Sequence, residues 1–68
     1  AHSAEAVRHR IRGLIDSEAA DATLSDERIV ELLQRDGIDI ARRTVAKYRE
    51  TMRISSSVRR RREKLLAP

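Results

Sequence analysis

Apolar residues recur along the chain in three helical series. Ala4, Val7, Ile11, Leu14 and Ile15 step by three, four, three and one, which holds them on one helix face rather than alternating across a strand. Ser3 stands where a hydroxyl can accept from the first free backbone N–H groups, and Glu5 sits in the first turn, where the helix dipole favours an acid. Gly13 weakens this helix by roughly 1 kcal/mol relative to Ala. Between Asp16 and Thr23 the period disappears, so a loop is expected there. The second series opens on Ser25 as cap, with Asp26 and Glu27 in the first turn and Leu24 and Ile29 at the two positions of a hydrophobic staple. Ile29, Val30, Leu32 and Leu33 form its apolar face, and Gly37 supplies the left-handed stop. A short connection, Asp36 to Ile40, leads to the third series. At about 100° per residue, Ala41, Val45, Tyr48 and Met52 share one side of that helix, while Arg43, Ala46, Lys47 and Glu50 point the opposite way. Arg42, Arg49 and Arg53 form one flank.

These patterns predict an all-α fold with helices at about 4–17, 25–36 and 41–53. Two helices joined by a short Gly-containing turn make a helix-turn-helix, and the first helix completes a three-helix bundle over residues 1–57. Residues 58–68 follow the serines at 55–57 and read as a basic, mobile tail. The alternative for the Arg59–Lys64 run is a fourth, frayed helix capped by Ser57.

Composition narrows the chemistry. With 68 residues and no cysteine, the chain makes one domain without disulfides or thiolate metal sites. His2 and His9 are too few for a zinc site, and no nucleophile–base arrangement or phosphate-cradling glycine loop is present. The chain therefore reads as neither an enzyme nor a cofactor carrier. No apolar run approaches the roughly 20 residues that a membrane span needs, and nothing resembles a secretory or transit signal. The net charge of +4 is unevenly spread, with five cations against nine acids in residues 1–40 and ten against two in residues 41–68. Phosphates attract one face rather than a whole surface, so this asymmetry is a footprint expected of nucleic-acid binding; the alternative from charge alone is a solvated surface with a basic disordered tail. Tyr48 is the single aromatic, which disfavours single-strand binding through stacking platforms.

In a helix-turn-helix the second helix enters the major groove and its N-terminal residues meet base edges. Arg42 and Arg43 open that helix here. Arginine grips guanine O6 and N7 together, at about 1–3 kcal/mol of discrimination per pair. Two cations at a helix N-terminus also oppose the dipole, so they call for a reason beyond solubility. Lys47, one turn on, is placed for a second base or a phosphate, or alternatively for an i,i+3 pair with Glu50. Thr44 suits a phosphate or a thymine methyl, and Ala46 shares the outward face. Arg49 and Arg53 on the flank point to backbone phosphate. Tyr48 reads first as core. Ser25 is a cap whose hydroxyl and helix N-terminus are also suited to a phosphate.

Residues 41–50 read ARRTVAKYRE. This string resembles the RpoN box, the signature of the bacterial sigma-54 factors, and similarity extends outwards through Leu24–Glu27, Ile29, Leu32, Leu33 and Gly37, and through Val7, Ile11, Leu14 and Ile15. The resemblance covers about residues 4–57. It implies the C-terminal domain of such a factor, recognising a GG dinucleotide in the minus-24 promoter element from the major groove. Arg42, Arg43, Thr44, Lys47, Tyr48 and Arg49 fall on matching positions of the box. It further implies double-stranded promoter DNA as the partner of a monomeric domain, in the bacterial cytoplasm at the nucleoid. Core RNA polymerase and an ATP-driven enhancer-binding activator would be engaged by other parts of the factor. The chain departs from the family pattern at Thr23 and Ser55, where relatives often carry proline, and in the length and basicity of the Arg59–Lys64 run. The reading from a different class is a protein-interaction module whose DNA binding is only electrostatic.

Overall fold

The computed structural model describes residues 2–66. It contains helices α1 (Ala4–Asp16), α2 (Asp26–Arg35), α3 (Arg42–Thr51) and α4 (Ser57–Leu66). The fold is all-α, as the periodicity predicts, but four helices stand where three and a tail were expected. Ser3 and Ser25 cap as expected, accepting from the backbone N–H of Ala6 at 3.1 Å and of Arg28 at 3.0 Å. Each hydroxyl satisfies one donor that the first helical turn leaves unpaired.

α3 packs on both α1 and α2. The side chains of Val7, Ile11, Ile15, Ile29, Leu33, Ile38 and Val45 form the buried core, and Leu14, Leu24, Val30, Ile40, Tyr48, Met52 and Ile54 pack around it. Burying each large aliphatic contributes about 1.5–3 kcal/mol, so the three-helix unit holds nearly all the apolar stabilisation.

The turn between α2 and α3 is fixed by backbone bonds. Gly37 adopts φ 81°. Its N–H donates to the Gln34 carbonyl at 3.0 Å, and the Ile38 N–H donates to the Leu33 carbonyl at 2.8 Å. This is a Schellman stop, and Ile38 and Leu33 supply its apolar contact. α3 ends the same way, with the Arg53 N–H on the Glu50 carbonyl and the Ile54 N–H on the Arg49 carbonyl, both at 2.9 Å. Here the left-handed residue is Arg53, at φ 59°. A non-glycine side chain there is strained by about 1–2 kcal/mol.

The expected mobile tail, residues 58–68, is corrected over residues 58–66, which with Ser57 form α4; Ala67 and Pro68, the end of that expected tail, and Ala1 lie outside the described residues. The cap is Ser56 rather than Ser57, with its hydroxyl accepting from the Arg59 N–H at 3.3 Å. The physical reason for the helix is Glu18, in the loop after α1, whose carboxylate has no exposed area. It accepts from Arg60 Nε at 2.7 Å and Nη2 at 2.9 Å, from Lys64 Nζ at 2.9 Å, and from the Leu24 N–H at 2.8 Å. Arg60 also donates to the carbonyls of Ser55 at 2.7 Å and Leu24 at 2.6 Å. Burial by itself raises the Glu18 pKa. The hydrogen bonds from Arg60, Lys64 and Leu24, together with the Arg60 charge, outweigh it and lower the pKa to about 2. Thr23 adds a bond from its hydroxyl to the Ser57 carbonyl at 2.9 Å. Arg60 is the one buried residue of α4, so this helix is held to the domain by polar contacts.

Candidate nucleic-acid interface

The apolar stripe of α3 turns inward through Val45, which is fully buried, and through Tyr48 and Met52 at the edge of the core. The opposite stripe is left to solvent. Arg43, Lys47 and Glu50 are exposed on it, with Thr44 and Ala46 half-buried beside them. Arg43 and Lys47 form no ion pair among the described residues, so the alternative pair of Lys47 with Glu50 does not form. Arg42 is exposed and lies 3.6 Å from Glu27, also exposed. A pair this open is worth little, and the Arg42 guanidinium is free to exchange Glu27 for another acceptor.

Ala41 provides no side-chain cap for α3. The first N–H groups of the helix therefore remain available, beside two arginines. The structure thus brings Arg42, Arg43, Thr44, Ala46 and Lys47 together on one surface, continuous along the first turns of α3.

Other expected contacts are placed differently. Arg49 does not reach the surface: it is 8% exposed. Its Nε and Nη2 donate to the two Asp26 carboxylate oxygens at 3.1 and 3.3 Å, and its Nη1 donates to the Ile54 carbonyl at 2.9 Å. The phosphate role expected for Arg49 is accordingly corrected to a structural one, because its donors are already committed to joining the start of α2 to the end of α3. Tyr48 is half-buried against the core with the Arg8 guanidinium 5.6 Å from its ring centroid. A cation over an aromatic face is attracted by the ring quadrupole, so Arg8 ties α1 to α3. Arg53 is exposed at the end of α3. Ser25 is occupied as a cap, at the N-terminus of the helix that in this motif crosses the DNA backbone.

Sequence reasoning missed the partners of Arg49 and the Glu18 cluster. The only local hint of the latter is the spacing of Arg60 and Lys64, four residues apart on one face of a helix. Among the described residues no group of three or more His, Asp or Glu side chains is arranged to hold a metal, and no helix is long and apolar enough to cross a membrane.

Comparison with known proteins bears on this surface. Residues 1–62 match the family described as the sigma-54 DNA-binding domain. The chain is 72% identical over 64 residues to the RNA polymerase sigma-54 factor of Sinorhizobium fredii, an alignment covering 94% of this chain and 12% of that protein. It is 75% identical over 64 residues to sigma-54 factor 2 of Bradyrhizobium diazoefficiens, with the same coverage. It is 67% identical over 63 residues to the sigma-54 factor of Caulobacter vibrioides, covering 91% of this chain and 13% of that protein. The chain thus spans about an eighth of the length of these relatives. No solved structure matches it.

Proposed function

This chain belongs to the sigma-54 DNA-binding-domain family, a family of DNA-binding modules rather than enzymes, and we propose that it reads the GG-containing minus-24 promoter element from the major groove. Arg42 and Arg43 are the guanine readers. Thr44, Ala46 and Lys47 line the approach to the bases and phosphates, Arg53 meets backbone phosphate beyond α3, and Ser25 with the N-terminus of α2 lies along the phosphate strand. Tyr48 orients α3 from the core side. The observation that carries the reading is the exposed pair of arginines on the first turn of a helix whose other face is locked into the core, Arg43 without an ion pair among the described residues and Arg42 held only by an open contact with Glu27. The strain at Arg53 supports its part: a left-handed position that glycine would fill more easily is held by a cation instead. The domain acts as a monomer on a one-sided site. Core RNA polymerase and the ATP-driven activator engage the rest of the factor.

The test is a fluorescence-anisotropy titration of a duplex carrying GG and of the same duplex with AA in its place, at several salt concentrations. A bidentate arginine–guanine pair is worth about 1–3 kcal/mol, which is roughly 5- to 150-fold in affinity. The GG duplex is expected to bind tighter by at least a factor in that range, and Arg43→Ala to reduce the preference by one such factor. Equal binding of the two duplexes, fading steeply with salt, would overturn the reading in favour of phosphate neutralisation alone.

A further inference from the structure

The fold divides the basic run of α4 in two. Arg60 and Lys64 turn inward onto Glu18. Arg59, Arg61 and Arg62 stay exposed. The one ion pair among these three is a long contact of 3.9 Å from Arg59 to Glu63, and Arg61 and Arg62 have none among the described residues.

A sequence of contacts runs from α3 to this helix. Arg42 meets Glu27, Arg49 meets Asp26, Arg60 meets the Leu24 carbonyl, and the Thr23 hydroxyl meets the Ser57 carbonyl. The first turn of α4 therefore adjoins the N-terminus of α2, on the flank of α3 that carries Arg42 and Arg49. In a helix-turn-helix this N-terminus belongs to the helix that crosses the DNA backbone. The three exposed arginines thus lie on a helix whose first turn is held beside that N-terminus.

We propose that the outer face of α4 is a second phosphate-contacting surface for the same duplex, built from Arg59, Arg61 and Arg62 and indifferent to base sequence. The proposal rests on the reading of α3 as the DNA-recognition helix. Glu18 makes it effective, because arginines on a docked helix do not lose the ordering entropy that a flexible tail would lose on binding. Val58, Leu65 and Leu66 are also exposed on α4, and a protein partner for that face is the outcome the test must separate.

The experiment measures binding of the 68-residue chain against salt, on the GG and AA duplexes, for the unaltered chain, for Arg62→Gln and for Arg59→Gln/Arg61→Gln/Arg62→Gln. Glutamine is a good helix former, and an unchanged far-UV spectrum confirms that α4 persists. Each phosphate neutralised contributes about 0.9 to the slope of log K against log salt. The triple variant is expected to lose about 2–3 of that slope and the single variant about 0.9, with both duplexes weakened alike and the GG:AA ratio unchanged. A triple variant with the slope of the unaltered chain overturns the proposal and leaves this face to a protein surface. The two claims fail separately, since the GG:AA ratio of the unaltered chain reports on α3 and the change in slope reports on α4.

Discussion

Replacing Glu18 by alanine removes the carboxylate on which α4 is moored. Arg60, 5% exposed, would then keep its charge buried with only the Ser55 and Leu24 carbonyls as acceptors, and Lys64 would lose its counter-charge. Stranding one member of a buried ion pair costs about 3–5 kcal/mol. A domain of this size is stable by roughly 3–10 kcal/mol in total, so that penalty cannot simply be absorbed. Two responses are open: global unfolding, or departure of α4. No apolar side chain of α4 is buried, and the seven core residues all lie outside it, so departure is the cheaper. Once released, a ten-residue helix is too short to persist in water. The Glu18→Ala variant is therefore expected to lose about a quarter of its helical signal, ten of 43 helical residues, while α1 to α3 stay folded. Far-UV circular dichroism reads the loss, and amide hydrogen exchange locates it. Rapid exchange confined to residues 57–66 is the expected pattern. Full helicity with α4 still protected would refute the reasoning, since Arg60 and Lys64 would then dock without their anion.

Acid should reproduce that release. The Glu18 pKa is depressed to about 2 from an ordinary 4.5, so its contribution is fully present above about pH 4.5 and is lost as pH falls towards 2; α4 protection followed through that window should collapse in the unaltered chain, whereas in Glu18→Gln it should show no such transition. Arg49→Ala should destabilise the domain by about 2–4 kcal/mol in urea unfolding, because it leaves Asp26 and the Ile54 carbonyl unpartnered, and Arg49→Lys should not restore it, because an ammonium cannot span both carboxylate oxygens. Gly37→Ala, whose added Cβ meets nothing within 4 Å, should cost about 1 kcal/mol from backbone strain alone, read as a lower urea midpoint. At the matching position of α3, Arg53→Gly should raise that midpoint by up to about 1 kcal/mol, the relief of strain less the extra entropy of glycine in the unfolded chain, while weakening DNA binding.

The features that were legible in the sequence are those whose causes lie within about a turn of each other. Ser3 and Ser25 cap donors three residues away, the stop at Gly37 is written in a single glycine, and the 3.6-residue period separates Val45 from Arg43 without reference to the rest of the chain. Arg49 shows where such reasoning ends. The period places it on a flank, but a flank is solvent or interior according to what packs there, and its partner Asp26 lies 23 residues away. The same holds more strongly for α4, whose anchor Glu18 is 42 residues from Arg60 and lies in a loop with no pattern to flag it. Arg53 hides its backbone role for a different reason, since left-handed stops are read from glycine and an arginine there looks like surface charge.

These differences decide how the cations are to be counted. Summed charge treats all ten Lys and Arg of residues 41–68 alike, whereas the fold gives three of them, Arg49, Arg60 and Lys64, internal carboxylate partners. Those three hold α3 against α2 and α4 against the loop after α1. Their removal should therefore disturb DNA affinity through the geometry of the domain, with an accompanying loss of stability. Removal of Arg43 should act on base preference, and removal of Arg59, Arg61 or Arg62 on salt dependence, each with the stability nearly unchanged. Stability, the GG:AA ratio and the salt slope, measured together on one set of variants, thus sort arginines that are indistinguishable by composition into three physical roles.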